Sequence, residues 1–220
     1  MRLYQQQKGS PLRLLTSKST QVWSRRLHIY ISMALLFVVL FYATTGITLN
    51  RPELFEAKAT VTRVETQLAN EFFTIENNDL VVDEQALKIF IDSHTNVSGI
   101  ASQLDIYSEV SGDALVTGEV SLNYKGPGYN ATVFIDLVNN TLEIEATDYG
   151  LIALLNDLHK GRNTGHVWKW FNDVVAVLMI LFVLTGLCLL LPKTKTLKTA
   201  LKWTLLGSSI SLLIFWLTVP

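Results

Sequence analysis

The sequence predicts an α+β membrane protein, with three transmembrane helices and a small extracytoplasmic domain of one helix and an antiparallel sheet between the first and second. Three observations carry this. Three long runs are apolar, and the first is free of charge from Leu27 to Leu49. Of the 19 acidic residues, 18 lie between Glu53 and Asp157, in the interval between the first two runs, so that interval has the surface of a water-exposed domain. Lysine and arginine gather before the first run and between the second and third.

Taken in order, residues 1–26 form a basic segment with Arg2, Lys8, Arg13, Lys18, Arg25 and Arg26 and no acid. Residues 27–49 are long enough to be transmembrane helix 1, since roughly 20 apolar residues cross about 30 Å of hydrocarbon. Ser24-Arg25-Arg26 faintly resembles a twin-arginine signal. The run after it is too long and lacks a small-x-small cleavage site, so it reads as a retained anchor. Residues 50–166 form the extracytoplasmic domain. Residues 167–191 form transmembrane helix 2, with Trp168 and Trp170 at its entry, where interfacial aromatics belong. Residues 192–202 form a basic loop holding Lys193, Lys195, Lys198 and Lys202. Residues 203–219 form transmembrane helix 3, of minimal length and diluted by Gly207, Ser208, Ser209 and Ser211; the alternative is an interfacial hairpin. Such small residues suit close helix packing. The positive-inside rule puts the N-terminus and the 192–202 loop in the cytoplasm and the acidic domain outside.

Within that domain, Asp83 is placed to cap a helix running to His94, with Leu87, Ile89, Phe90 and Ile91 as its apolar positions. A short strand fits within Phe72 to Val82. Gln103 to Val110, Ala114 to Tyr124, Tyr129 to Leu137 and Thr141 to Ala146 alternate as strands do. Lys125-Gly126-Pro127-Gly128 and Asn139-Asn140 supply the turns. Consecutive strands after one helix imply an antiparallel sheet with the helix on one face.

Several function classes lose support. The single cysteine, Cys188, permits no intramolecular disulfide and no closed zinc site. No basic tract interleaves with aromatics on a soluble face, which argues against nucleic acid. No Ser/His/Asp or Cys/His arrangement and no Gly-rich phosphate loop is evident. Asn96, Asn130 and Asn139 fit a glycosylation pattern and read as ordinary polar residues. His94 ends its helix, where a protonated imidazole favours the dipole.

The chemistry-bearing pattern is in the spans. The first begins Arg25-Arg26-Leu27-His28 and ends Thr44-Thr45-Gly46. The segment entering the second reads Leu158-His159-Lys160-Gly161-Arg162-Asn163-Thr164-Gly165-His166, and its span carries Thr185-Gly186. Each pairs an entry histidine with an exit Thr-Gly, roughly 30 Å apart at 1.5 Å per residue. Antiparallel spans then set a histidine opposite a glycine at each membrane face. A histidine can supply an axial ligand to haem iron, and a glycine leaves room for a flat macrocycle. On this reading His28 and His159 are candidate haem b ligands, with Gly46, Gly186 and His166 as cofactor-binding candidates. His159, His166 and Asp173 recur every seven residues and form one stripe if the helix is continuous. Asp173 sits about one turn inside the membrane, a costly place for an acid, and could orient a histidine from behind. Plainer roles compete: an interfacial His28 that only reaches water, an Asp173 paired with Lys169, and Thr-Gly as a packing notch.

These residues resemble the PepSY-associated transmembrane-helix family of bacterial inner-membrane proteins. The matching features are Arg26-Leu27-His28, Thr45-Gly46, Leu158-His159-Lys160-Gly161 with Gly165 and Trp168, Asp173, and Thr185-Gly186. The helix-then-strands segment looks like a PepSY domain. The resemblance implies an inner-membrane location, because larger relatives include membrane reductases with b-type haem between spans. It also implies protein binding, because soluble PepSY modules are associated with restraint of peptidases. His28 and His159 match positions where the family places histidine; His166 does not. The chain departs from the reductases in having three predicted spans and no flavin or nicotinamide site. The expected role is therefore an electron-transfer subunit that works with a separate membrane or periplasmic redox partner, rather than an independent enzyme. Three membrane histidines fall short of the four that two bis-histidine haems need, so a homodimer or a partner would supply the rest, or the haem would be five-coordinate. The alternative is a non-enzymatic anchor whose outer domain binds a partner protein or assists assembly of a membrane complex.

Overall fold

The computed structural model describes residues 11–55, 58–68, 72–76, 79–111 and 114–219; Arg2 and Lys8 of the basic segment lie outside them. The described residues divide into two compact units, 1–39 with 173–220, and 40–172.

The first unit is helical. A short helix α1 (Pro11–Leu15) leads into α2 (Lys18–Asn50), whose first turn is tied by the Thr20 backbone N–H donating to Ser17 Oγ (3.2 Å). The covered positions of α2 recur as Gln21, Ser24, His28, Ile31, Leu35, Val38, Tyr42 and Thr45, a spacing of three and four that keeps one stripe of the helix turned inward. At 33 residues α2 is about 50 Å long, more than the hydrocarbon thickness. Helix α5 (His166–Leu190) and α6 (Thr194–Thr218) are also long and apolar enough to cross a membrane.

The helices run past the expected span bounds. Helix α2, which carries the first apolar run, begins at Lys18, nine residues before Leu27. The expected basic loop 192–202 shrinks to a turn at Leu191–Lys193, because α6 starts at Thr194 and takes in Lys195, Lys198 and Lys202. Lysines in a first turn oppose the helix dipole, so charge hid this start. Leu197 and Ala200, which are partly covered, continue the helical pattern through it.

The second unit holds the sheet. Its strands are β1 (Thr60–Gln67), β2 (Phe73–Glu76), β3 (Asp79–Val82), β4 (Ile100–Ala101), β5 (Asp105–Ser111), β6 (Ala114–Gly126), β7 (Tyr129–Asp136) and β8 (Thr141–Asp148). The main sheet runs β1-β8-β7-β6-β4, with β5 pairing an earlier stretch of β6, and its ladders are antiparallel. Helix α3 (Glu84–His94) is capped by Asp83, whose carboxylate accepts from the Ala86 N–H at 2.9 Å. Leu87 and Ile91, one turn apart, pack with Val120, Leu122, Val133, Ile135, Leu142 and Ile144 from alternate strand positions. A hairpin, β2 with β3, stands where one strand was expected. Strand β1 was not foreseen. Val61 and Val64 break its alternation, and all its residues are exposed.

A helix α4 (Gly150–Lys160) follows β8. Asp157 anchors it to the β6–β7 turn. One carboxylate oxygen accepts from the Gly128 N–H (2.9 Å) and the other pairs with Arg162 (2.9 Å). Gly128, at φ +65°, lies so close to α4 that a Cβ would meet Leu154 N at 2.6 Å, so only glycine fits there.

Candidate functional site

The stretch from His159 to Asp173 is not one helix. Gly161, at φ +65°, closes α4 with its N–H on Asp157 O and Leu158 O. Asn163 is also left-handed (φ 55°), and buried Thr164 donates to Gly161 O (2.9 Å). His159 therefore belongs to α4 and His166 to the first turn of α5, and the expected single stripe does not exist. His166 is exposed and makes no hydrogen bond among the described residues. Asp173 is exposed and forms no ion pair with Lys169. The hydrogen-bond partners of the two rings are threonines and, at His28, the Phe182 carbonyl as well.

In the first unit, the start of α2 lies against the end of α5. Gln21 Nε2 donates to Cys188 O (2.9 Å), and Ser24 Oγ lies 3.3 Å from Cys188 Sγ. One turn further on, His28 stacks on Phe182 with ring centroids 4.4 Å apart and 13° between planes. Its Nδ1 is 3.1 Å from both Phe182 O and Thr185 Oγ1. A Cβ at Gly186 would sit 3.2 Å from His28 Cε1. The space this glycine leaves is occupied by the imidazole.

In the second unit, the end of α2 faces α4 and the start of α5. Thr48 Oγ1 donates to Asn156 Oδ1 (2.5 Å), and Tyr42 OH donates to Asn172 Oδ1 (2.8 Å). His159 Nδ1 is 2.6 Å from Thr45 Oγ1, with Tyr42 packed edge-on at 4.8 Å. Nothing lies within 4 Å of a Cβ at Gly46. Trp168 Nε1 donates to Leu158 O (2.8 Å), pinning the break between α4 and α5. Burial, and secondarily the charge of Lys160, lower the His159 pKa from its ordinary 6.5.

The surroundings of Nδ1 favour the same tautomer at both rings. Thr45 Oγ1 donates to Phe41 O (2.6 Å), and Thr185 Oγ1 donates to Phe182 O (2.8 Å). Each hydroxyl proton is thus committed to its own helix, a common threonine back-bond. A hydroxyl so bonded turns its oxygen to the imidazole as an acceptor, which favours Nδ1–H as the donor. At His28 the Phe182 carbonyl enforces the same choice, because a carbonyl only accepts. At neither ring does a described residue hydrogen-bond to Nε2. A metal-bound histidine has this form, with one nitrogen donating to a protein oxygen and the other offering its lone pair. The donor chemistry therefore fits axial ligation of haem iron.

Tyr42, Asn156, Asn172 and Asp157 were not singled out from the sequence. Polar residues at Tyr42, Thr45 and Thr48, three apart in an apolar run, were the available signal.

Comparison with known proteins gives one family. The family described as "Putative PepSY_TM-like" matches residues 22–220. No curated protein and no solved structure matches.

Proposed function

The chain belongs to the PepSY_TM-like family and is a membrane protein, and from that premise we propose that it is an inner-membrane electron-transfer subunit holding b-type haem through Nε2 of His28 and of His159. The observation that carries this reading is the matched placement of the two imidazoles, each with Nδ1 against a threonine hydroxyl and no described residue hydrogen-bonded to Nε2. Bound haem supplies a one-electron carrier. The chain's own residues set the ligand. Thr185 and the Phe182 carbonyl hold His28, Thr45 holds His159, and the apolar faces of Phe182, Phe41 and Tyr42 shield the rings from water. The open surroundings of Gly46 admit a flat ring, whereas Gly186 serves to seat His28. A separate redox protein, in the membrane or the periplasm, exchanges electrons with the subunit. With one histidine per site, a second copy or that partner would supply any further ligand. The N-terminus is cytoplasmic and the sheet domain extracytoplasmic, as the lysine and arginine distribution indicates.

Pyridine haemochrome stoichiometry of the detergent-purified protein, wild type against His28→Ala and His159→Ala, is the test. Each single variant losing part of the haem content supports the reading; unchanged haem content in both rejects these ligands.

A second reading is a non-enzymatic anchor whose sheet domain binds a partner protein. A groove of about 890 Å³, lined by β1 and by Phe90 and His94 of α3, favours it. On that reading both histidine variants keep function, and substitutions in the groove remove it.

A further inference from the structure

The two histidine sites share a device in the second layer of contacts. In each, a threonine immediately before a glycine spends its hydroxyl proton on a carbonyl of its own helix and turns its oxygen to a histidine Nδ1. The polarity of that hydroxyl matters. A threonine free to rotate could donate to Nδ1 and would then force the proton to Nε2, closing the lone pair that a metal needs. The back-bond removes that option.

We propose that Thr45 is a positioning residue that locks His159 in the Nδ1–H form, that the Phe182 carbonyl with Thr185 beside it does the same for His28, and that both Nε2 atoms are so kept available as ligands. The consequence for ligation rests on the haem reading; the lock itself is a property of the chain without haem.

The locks are unequal. His28 Nδ1–H reaches two acceptors at 3.1 Å, Thr185 Oγ1 and Phe182 O. Losing the threonine leaves a carbonyl that still permits only a donor. His159 Nδ1–H has Thr45 Oγ1 alone, at 2.6 Å. Without it no described acceptor holds the proton, and the ring is free to populate both tautomers. Thr45 is also 4 % exposed, so water has little access to replace it.

The experiment is long-range ¹H–¹⁵N correlation of ¹⁵N-histidine-labelled protein in detergent, without haem, at a pH where the rings are neutral. Wild type is expected to show Nδ1–H signatures for His28 and His159, with exposed His166 averaging both forms. Thr45→Val should release His159 into mixed tautomers, and Thr45→Ser, which keeps the hydroxyl, should restore the lock. Thr185→Val should leave His28 as Nδ1–H. Ferric haem added afterwards should bind the His159 site about 10- to 100-fold more weakly in Thr45→Val than in wild type, the usual cost of removing such a partner. A wild-type His159 protonated at Nε2, or a Thr45→Ser variant that behaves like Thr45→Val, overturns the inference; the wild-type spectrum decides even if Thr45→Val does not fold. Intact Nδ1–H signatures with no haem uptake uphold the lock and reject the haem reading instead.

Discussion

The His28 and His159 sites are built from the same residue types in reversed order along the chain, yet they differ in what secures them. His28 is held three ways: by a carbonyl, by a threonine and by stacking on Phe182, with Gly186 giving the ring its seat. His159 is held by one short hydrogen bond, and its helix, α4, is held by the sheet domain. The first site is a contact between two long apolar helices. The second is a contact between such a helix and a folded polar domain. Whatever disturbs the sheet domain therefore reaches His159 through α4.

The largest expected effect follows from that route. Asp157→Ala leaves the buried Gly128 N–H without its acceptor and Arg162 without its partner, which costs about 1–3 kcal/mol. Thermal unfolding followed by circular dichroism should show the loss. His159 should lose its Nδ1–H signature while His28 keeps it. Equal disturbance of both would erase the distinction between the sites.

The glycines come next. A methyl at Gly186 meets His28 at 3.2 Å and must push the ring from its seat, whereas one at Gly46 meets nothing. Gly186→Ala should disturb His28 and lower haem uptake. Gly46→Ala should stabilise the free helix by up to about 1 kcal/mol. Any loss from Gly46→Ala in haem binding alone would mark that open space as the macrocycle's.

A smaller effect is in pH. The His159 pKa lies below 6.5 because burial, then Lys160, disfavours the cation. As pH falls, an unfolded chain takes up this proton near 6.5 while the folded one resists until lower pH. The stabilising contribution of His159 is therefore complete above about 6.5 and declines as pH falls from there to the folded value. A ¹⁵N titration of the haem-free protein reads the shift directly, and Thr185→Val should leave it unmoved.

Much of this was legible in the sequence. The three apolar runs, the Asp83-capped helix and the alternating strands are local patterns, and local patterns survive folding. The pairing of His with Thr-Gly was visible too, although the glycine drew attention that belonged to the threonine. Whether a hydroxyl or the gap beside it matters depends on side-chain direction, which spacing does not encode. The break at Gly161 was signalled by Gly161, Asn163 and Gly165 together, yet the seven-residue recurrence of His159, His166 and Asp173 imitated a continuous stripe. Strand β1 was hidden because neither of its faces is buried, so no alternation marks it. Asp157 looked like one acid among many. Its role depends on a turn 29 residues earlier in the chain.

The central claim is that both Nε2 atoms are haem ligands. Its most direct test is titration of ferric haem into detergent-purified protein, following the Soret band and its shift on reduction. The account predicts saturable binding with a b-type spectrum in wild type, reduced when either His28 or His159 is changed to alanine and abolished when both are. Binding that survives in the double variant, or no b-type spectrum in the wild type, would contradict it.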